Sequence, residues 1–326
     1  MSKAHVIRDF GGPEVLEWGE VDVGHPGSGQ VRLRQRAVGM NMMEVGLRMG
    51  VYPGPPLPFI PGVEAAAEVI AVGDGVKDFK VGDRVGYAGP PVGSYAEERN
   101  FPENRLFPLP DEVSDVVAAA CMVKGITAEC LMRLTYEVGP QTRVLIHAAA
   151  GATGAMCVQL AKHLGAEVFG TVGSTEKVEY LKSLGCDHII LYREQNFAHA
   201  VLDLTDGEGV DLCLDSVGAE TFEGSVRCTH SLGTVGLFGV ASGQPEPVHL
   251  MLQDLETARK FVRPSIYAYT KATEQLRALA AQTFADVSAG VLQPTIHAQV
   301  PLREAPKLHS IIESRASIGS SVMLCD

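Results

Sequence analysis

The residues that point most directly to a chemical role lie between His147 and Lys177, in the stretch HAAAGATGAMCVQLAKHLGAEVFGTVGSTEK. An apolar run, RVLIHA, leads into a turn of small residues that contains Gly151 and Gly154. A turn without large side chains lets backbone N–H groups and the N-terminus of the next helix approach a pyrophosphate. The spacing is similar to the G-x-G-x-x-G turn without matching it literally. It predicts a dinucleotide site; the alternative is close strand-to-helix packing without a ligand.

The second strand of this stretch, EVFGTV, ends at Gly173 and Ser174 without an acidic residue. In NAD sites an Asp or Glu about 20 residues after the turn binds the adenosine ribose. Here Ser174 can donate a hydrogen bond to a phosphate oxygen, and Lys177 adds a positive charge one turn along the helix. This pattern favours NADPH over NADH. The alternative is an ordinary N-cap at Ser174 and a solvated Lys177, and Glu176 counts against the phosphate unless it faces away.

Strands alternate with helices from about residue 125 onward, which predicts a parallel, doubly wound sheet. Residues 1 to about 120 contain short β-branched runs punctuated by Gly and Pro, a pattern typical of a β-rich, barrel-like domain. After Arg263 the alternation ends, and a helix, a strand and a last helix follow. We therefore expect an α/β protein whose C-terminal tail returns to the first domain.

Length, composition and charge limit the classes of function. A chain of 326 residues with 46% hydrophobic and 20% charged residues favours two globular domains. A formal charge of −12 disfavours nucleic acid and anionic membranes as partners. Seven scattered cysteines without a C-x-x-C fit reduced thiols in the cytoplasm. The N-terminal MSKAHVIRDFGG is strand-like rather than a signal peptide, and no apolar run approaches the length of a membrane span.

Further motifs occur along the chain in the order GMNMMEVGLRMGVYP, PGVEAAAEV, GDRV, KGIT, HAAAGATG, GTVGSTEK, LYRE, DSVG, FG and RPS. Together they resemble the zinc-free quinone oxidoreductases, the zeta-crystallin-like members of the medium-chain dehydrogenase/reductase superfamily. The resemblance implies a GroES-like β-barrel catalytic domain formed by residues 1–124 and 266–326. It also implies a Rossmann domain at residues 125–265 that binds NADPH, and a homodimer joined through the cofactor domains.

The resemblance also implies which residues hold NADPH. The pyrophosphate falls at the Gly-rich turn, the 2′-phosphate near Ser174, and the nicotinamide half near Asn41. In chain order, the implied cofactor-binding residues are Asn41, Thr127, Ala150, Gly151, Ala152, Thr153, Gly154, Gly173, Ser174, Lys177, Tyr192, Ser216, Val217, Phe238, Gly239, Val240, Arg263, Ser265 and Arg315.

The chain departs from the family pattern at two places. The family commonly has G-G-V-G where this chain has GATG, and Ala152 is tolerable there if its φ is negative. The family often carries an aromatic residue at the position of Gly46, so we expect the substrate cleft to be more open or reshaped.

A metal is not predicted. Zinc-dependent relatives have Cys at the position of Asn41 and His at the position of Val63, and neither residue of this chain is a zinc ligand. The four closely spaced cysteines of the structural zinc lobe are also missing. Without Lewis-acid help, the acceptor is expected to be electron-poor on its own account, as quinones and conjugated enones are.

The candidate catalytic residues are Tyr52 and Asn41. We expect Asn41 to hydrogen-bond either the nicotinamide ribose or the acceptor oxygen. Tyr52 follows Gly50 in a proline-stiffened loop, and it is either a hydrogen-bond or proton donor to that oxygen or a wall of the cleft. His147 and Glu64 are expected to be buried structural residues.

Three functional hypotheses follow. The first is an NADPH-dependent quinone reductase that transfers a hydride, or electrons, to a quinone without a metal. The second is an NADPH-dependent alkenal or enone reductase, which uses the same geometry on another acceptor. The third is a structural, crystallin-like or RNA-binding protein that binds NADPH, and the charge of −12 argues against RNA.

Overall fold

The computed structural model describes residues 2–247 and 258–325. In that part of the chain, none of the helices combines the length and the apolar character needed to cross a membrane. The chain divides into two compact units. The first unit comprises Met1–Ile126, Tyr269–Ala289 and Pro294–Asp326, and the second comprises Thr127–Ala268 and Gly290–Gln293.

The first unit is organised around a sheet of seven strands. Its longest strand, β3 (Gln30–Gly39), alternates apolar and polar residues, so that Val31 and Leu33 are buried and Arg34 is exposed. The strand order is β14-β15-β3-β4-β5-β7, with β6 also paired to β3. The other strands of the first unit are β1 (Ser2–Val6) and β2 (Glu17–Val21), which form a separate pair, then β4 (Glu64–Val72), β5 (Arg84–Ala88), β6 (Glu98–Pro102), β7 (Phe107–Pro108), β14 (Ile296–Pro301) and β15 (Ser320–Leu324).

Helices complete the first unit, and a predicted site residue caps the first of them. Helix α1 (Met42–Arg48) begins after Asn41, whose backbone N–H donates to the Glu44 side chain in the manner of a capping box. The further helices are α2 (Asp115–Glu129), which continues into the second unit, α7 (Ile266–Tyr269) at the boundary, α8 (Thr273–Ser288) and α9 (Ala305–Glu313).

The second unit contains a sheet of six parallel strands in the order β10-β9-β8-β11-β12-β13. The predicted parallel, doubly wound sheet is confirmed. The order reverses between β8 and β11, and ligands of such sheets bind at the carboxyl ends of the strands at this point. The elements are β8 (Arg143–Ile146), α3 (Ala152–His163), β9 (Glu167–Val172), α4 (Glu176–Ser183), β10 (His188–Leu191), α5 (Phe197–Leu204), β11 (Val210–Asp215), α6 (Phe222–Arg227), β12 (Thr229–Leu237) and β13 (Lys260–Val262).

Candidate functional site

The turn after β8 brings the start of α3 against the carboxyl ends of the strands. Ala148 adopts a left-handed conformation with φ 49°, and the N–H of Ala149 donates to the carbonyl of Thr171 in β9 (3.1 Å). A Cβ on Gly154 would overlap the carbonyl oxygen of Ala148 and lie 2.8 Å from the Cα of Ala149. Gly154 is therefore needed for the close approach of helix and turn, the packing role of the last glycine in a dinucleotide turn.

Ala152, the departure from the family pattern, is the first residue of α3. It is not among the residues with positive φ, so its methyl group is compatible with the turn. Gly151 before it has φ −74° and acts as the N-cap. The N-terminus of α3 thus presents backbone N–H groups where an anion is stabilised.

The loops after β11 and β12 lie beside this turn. Ser216 Oγ contacts the carbonyl of His147 (3.5 Å), and the N–H of Phe238 donates to the carbonyl of Asp215 (2.8 Å). A Cβ on Gly239 would be 2.5 Å from the carbonyl oxygen of Ser216. The predicted residues that the structure brings together here are Ser216, Val217, Phe238, Gly239 and Val240.

A buried carboxylate holds these loops in place. Asp215 accepts the backbone N–H groups of Val217 (2.8 Å) and Gly218 (2.9 Å), and the hydroxyls of Thr221 and Ser225 (2.8 Å each). All four donors are neutral, and a carboxylate satisfied in this way fixes the backbone around it.

His147 is a structural residue of the same region. It is buried, with Nδ1 3.0 Å from Thr171 Oγ1 and Nε2 3.0 Å from Ser225 Oγ. Burial lowers the pKa of His147, although Asp215 opposes the shift. The neutral ring therefore acts as a hydrogen-bonded core residue, the role expected of it.

A second group of predicted residues lies at the ends of β9 and β10. A Cβ on Gly173 would be 2.9 Å from the hydroxyl of Tyr192, and the N–H of Lys177 donates to the carbonyl of Ser174 (3.2 Å). Burial lowers the pKa of Lys177, and the positive charge of Arg193 lowers it further. Two neighbouring cations that destabilise each other favour an anion between them. We call Gly173, Ser174, Lys177, Tyr192 and Arg193 the cationic cluster.

In the first unit, Asn41 is held by buried charged groups. Its Nδ2 donates to Oε1 of Glu44 (3.3 Å) and to Oε1 of Glu64 (2.9 Å). The Glu64 carboxylate also accepts the N–H of Val123 (2.8 Å) and pairs with Nζ of Lys124. Glu44, Glu64 and Lys124 are all buried. We call Asn41, Glu44, Glu64 and Lys124 the carboxyl cluster.

The carboxyl cluster contains two carboxyl groups and one ammonium group. Burial raises the pKa of Glu44 to about 7, the Glu64 charge raises it in the same direction, and Lys124 and the bond from Asn41 oppose the shift. Below neutrality Glu44 therefore carries a proton, and the cluster balances one carboxylate against Lys124.

This arrangement fixes the orientation of the Asn41 amide. A carboxylate only accepts hydrogen bonds, so the amide nitrogen and not the oxygen must face Glu64. Both N–H directions of Nδ2 point at carboxyl oxygens, and Oδ1 faces the backbone N–H of Glu44 in the capping box. An amide oxygen has two acceptor directions, so the second direction of Oδ1 is the one that a ligand can use. Asn41 can accept a hydrogen bond from a hydroxyl, and it cannot donate one to a carbonyl oxygen.

The remaining predicted residues are distributed over both units. Tyr52, half-buried, follows α1, and Arg315, with φ 57°, follows α9 in the first unit. Thr127 lies in the last turn of α2, and Arg263 and Ser265 follow β13 in the second unit. Arg263 donates to the carbonyl of Leu237 at the end of β12 (2.8 Å).

Comparison with known proteins identifies the family. Residues 27–111 match the alcohol dehydrogenase GroES-like domain, and residues 152–282 match the family described as zinc-binding dehydrogenase. The chain is 40% identical over 324 residues to a quinone oxidoreductase of Pseudomonas aeruginosa, covering 99% of this chain and 100% of that protein. The chain belongs to the quinone oxidoreductase family of the medium-chain dehydrogenase/reductase superfamily. The predicted combination of a GroES-like domain and a Rossmann domain is thereby confirmed.

Two further proteins are similar to this chain over its full length. A 2-haloacrylate reductase of a Burkholderia species is 42% identical over 332 residues and covers 99% of both proteins. The crystal structure of Escherichia coli quinone oxidoreductase complexed with NADPH superposes with a TM-score of 0.96 at 35% identity, over 99% of each chain. This oxidoreductase family therefore includes enzymes named for different acceptors.

One of the two matching families is described as zinc-binding, which raises the question of whether this chain offers ligands for a metal ion. Within residues 2–247 and 258–325, no three His, Cys, Asp or Glu side chains are grouped so as to hold a metal ion. The first-unit position at which zinc-dependent relatives have Cys is Asn41, and its amide nitrogen is bonded to two carboxyl groups.

Sequence reasoning missed three charged residues of the two clusters. Arg193 stands in the motif LYRE, next to the predicted Tyr192, and the positive charge itself was an available signal. Glu44 and Lys124 had no such signal, because a Glu in a short helix and a Lys before Gly125 are ordinarily exposed. Only the fold shows that they are buried against Asn41.

Proposed function

We propose that this protein is an NADPH-dependent quinone reductase of the medium-chain dehydrogenase/reductase superfamily. The observation that carries the cofactor assignment is the cationic cluster. Lys177 contacts Ser174 just after β9, where an NAD-specific protein has an acidic residue. The charge of Arg193, which follows β10, acts on Lys177. Two cations and a hydroxyl match a phosphate and do not match a bare ribose.

The residues present fit the whole phosphate half of the cofactor. The turn after β8 excludes side chains at Gly154, and the N-terminus of α3 supplies backbone donors for the pyrophosphate. The loops with Ser216, Val217, Phe238, Gly239 and Val240 line the same strand ends and are fixed by Asp215. The E. coli relative whose structure contains NADPH supports the same choice.

An asparagine amide can both donate and accept hydrogen bonds, but here we propose that Asn41 serves the cofactor only as an acceptor. Its Oδ1 accepts a hydrogen bond from a hydroxyl of the nicotinamide ribose, and the carboxyl cluster holds the amide in that orientation. When bound, NADPH supplies the hydride, and the protein orients the reactants and excludes water. Of the two candidate catalytic residues, Tyr52 alone has a donor for the acceptor oxygen.

Tyr52 is either that donor or a wall of the cleft. A Tyr52→Phe variant removes the hydroxyl and keeps the ring. If the hydroxyl donates a proton, kcat falls about tenfold or more; unchanged kinetics assign Tyr52 to the wall.

The second candidate function is reduction of an electron-poor alkene. The specific observation is the 42% identity to a 2-haloacrylate reductase over the full length of both proteins. An enone or acrylate accepts a hydride at carbon with the same cofactor geometry. The two functions differ only in the shape and polarity of the acceptor.

Three further features complete the proposal. Residues 125–265 form the NADPH-binding domain, and residues 1–124 and 266–326 form the catalytic domain. The protein is a homodimer, as the family resemblance implies. It works in the cytoplasm, which is supported by its seven free cysteines, six of them buried. Light scattering after size exclusion tests the dimer.

A steady-state acceptor panel with NADPH and with NADH tests the function. We expect a naphthoquinone to be reduced with NADPH at a higher kcat/KM than a short enal or 2-chloroacrylate. A strong preference for the enal or the haloacrylate assigns the second function. NADPH binding without reduction of any acceptor contradicts both and leaves a binding role.

A further inference from the structure

Gly46 lies inside α1, five residues after Asn41, and it is buried. Glycine inside a helix is less stable than alanine, so its presence requires a reason. A Cβ on Gly46 would overlap Cδ2 of Tyr52 and lie 2.5 Å from Cε2 and 3.0 Å from Cγ of the same ring. The Tyr52 ring therefore lies directly on the backbone of α1, where any side chain at residue 46 would displace it.

Backbone hydrogen bonds fix the loop that carries this ring. The N–H groups of Val51 (2.9 Å) and Tyr52 (3.2 Å) both donate to the carbonyl of Gly46. Gly50, with φ 71°, turns the chain back over the helix, and a Cβ on Gly54 would be 2.9 Å from Cδ2 of Leu47. The loop is folded along α1 on both sides of Tyr52, so the backbone that carries the ring is held against the helix.

The ring is half-buried and packs on the core of the first unit. Because the residue is only half-buried, part of its surface stays exposed beside α1, the helix that Asn41 caps. A partly exposed aromatic ring can stack on a planar aromatic molecule.

We propose that Gly46 is a specificity-determining residue, which seats the Tyr52 ring against α1 and thereby selects planar, fused-ring quinones over short alkenes. This inference rests on the proposed function. The contact that carries it is the position of the ring over the missing Cβ. A larger side chain at residue 46 pushes the ring outward, into the space that a planar acceptor occupies.

The test is a double-mutant cycle of Gly46→Ala and Tyr52→Ala, with Gly19→Ala as the matched control. Gly19 lies in β2, and its Cβ would meet no atom within 4 Å. We expect Gly46→Ala to lower kcat/KM for a naphthoquinone about tenfold and that for a short enal less than about twofold. The KM for NADPH stays constant. In the Tyr52→Ala background, Gly46→Ala has no further effect on the ratio.

Thermal unfolding gives a second readout that does not depend on activity. Alanine stabilises a helix interior, so Gly46→Ala raises Tm in the Tyr52→Ala background and lowers it when the ring is present. Equal losses for both acceptors, or the same change with and without Tyr52, overturn the inference. Failure of the proposed function is recognised separately, because the wild-type protein then reduces no quinone with NADPH.

Discussion

The two units differ in the balance of charge at their candidate sites. In the second unit the cationic cluster adds Lys177 and Arg193 to the backbone donors of two loops. In the first unit the carboxyl cluster sets Glu44 and Glu64 against the single cation Lys124. This difference suits the proposed roles: phosphates need positive charge, whereas the nicotinamide ribose proposed for Asn41 is uncharged and needs an oriented hydrogen-bond acceptor.

The two clusters also differ in burial, and this determines how each responds to mutation. Glu64 and Lys124 have exposed side-chain fractions of 0% and 1%, whereas Ser174 and Lys177 are half-buried and Arg193 is exposed. Charges in contact with water rearrange at little cost, and buried ones do not. We therefore expect mutations in the cationic cluster to change which cofactor binds. Mutations in the carboxyl cluster should lower the stability of the protein and disturb the orientation of the Asn41 amide.

The largest effect is expected from Lys124→Met, which leaves the Glu64 carboxylate buried without its cation. Removing one partner of a buried pair lowers the free energy of unfolding by about 3 kcal/mol or more. The control is Lys162→Met, which breaks the half-exposed pair with Asp187 in the second unit and should lower it by less than about 1 kcal/mol. Urea denaturation measures both.

The outcome of the double variant sharpens this contrast. Glu64→Gln combined with Lys124→Met removes both charges, and most of the lost stability should return. If Lys124→Met lowers the free energy of unfolding no more than Lys162→Met does, burial does not make the Glu64–Lys124 pair more sensitive to mutation. The contrast drawn between the two units is then wrong.

The next largest effect is expected at Lys177. Lys177→Glu places a negative charge in the cationic cluster and should raise the KM for NADPH about 100-fold and that for NADH less than about threefold. Lys182→Glu is the matched control, because Lys182 lies on the same helix, α4, and pairs with Glu179 on the surface. Equal losses for both cofactors contradict the phosphate assignment.

The sequence predicted these two regions unequally, for a physical reason. The parallel sheet and its turn follow from local features: the apolar run RVLI, the glycines after it, and the alternation of strands and helices. Ser174 and Lys177 stand three residues apart, so their placement on one turn was predictable before the fold was known.

The carboxyl cluster has no local signature. Glu64 and Lys124 are 60 residues apart, and their contact arises from the packing of a helix on a sheet. The seat of Tyr52 on Gly46 is similar: the motif NMMEVGLRMGVYP contains both residues, but their contact depends on the turn at Gly50 and on the backbone bonds to Gly46. These contacts depend on how distant segments pack in the fold, so the local sequence pattern could not predict them.

A smaller effect is expected from Glu44, and it depends on pH. The folded state raises the pKa of Glu44 from 4.5 to about 7, first through burial and then through Glu64. The folded protein holds a proton that the unfolded chain has released, so stability is fully present below pH 4.5 and is lost as the pH rises towards 7. The slope is on the order of 1 kcal/mol per pH unit.

Glu44→Gln tests this dependence while keeping the shape of the side chain. Between about pH 5 and pH 7 the variant should gain stability relative to the wild-type protein as the pH rises. Urea midpoints at a series of pH values measure the difference. A constant difference over this range shows that Glu44 is ionised throughout, and the carboxyl cluster then carries one more negative charge than assigned here.

The smallest effect is expected in the turn of the second unit, at Ala148. Its φ of 49° is unfavourable for a residue with a Cβ by about 1–2 kcal/mol, and glycine relieves this strain at an entropic cost of about 0.5–1 kcal/mol. Ala148→Gly should therefore raise the free energy of unfolding by about 0.5 kcal/mol. The same change loosens the turn before α3, so NADPH should bind about two- to threefold more weakly.

Leu232→Gly separates the two effects, because Leu232 has φ 68° and is 66% exposed in β12. It should change stability in the same direction and leave the Kd for NADPH unchanged, as measured by fluorescence titration. The distinguishing result is that Ala148→Gly raises the free energy of unfolding while it weakens NADPH binding. If the variant loses both stability and affinity, the methyl group of Ala148 instead stabilises the turn by packing against it. Higher stability with weaker NADPH binding would mean that backbone strain at Ala148 serves binding at a site whose donors are backbone groups, whereas the carboxyl cluster is oriented by its side chains.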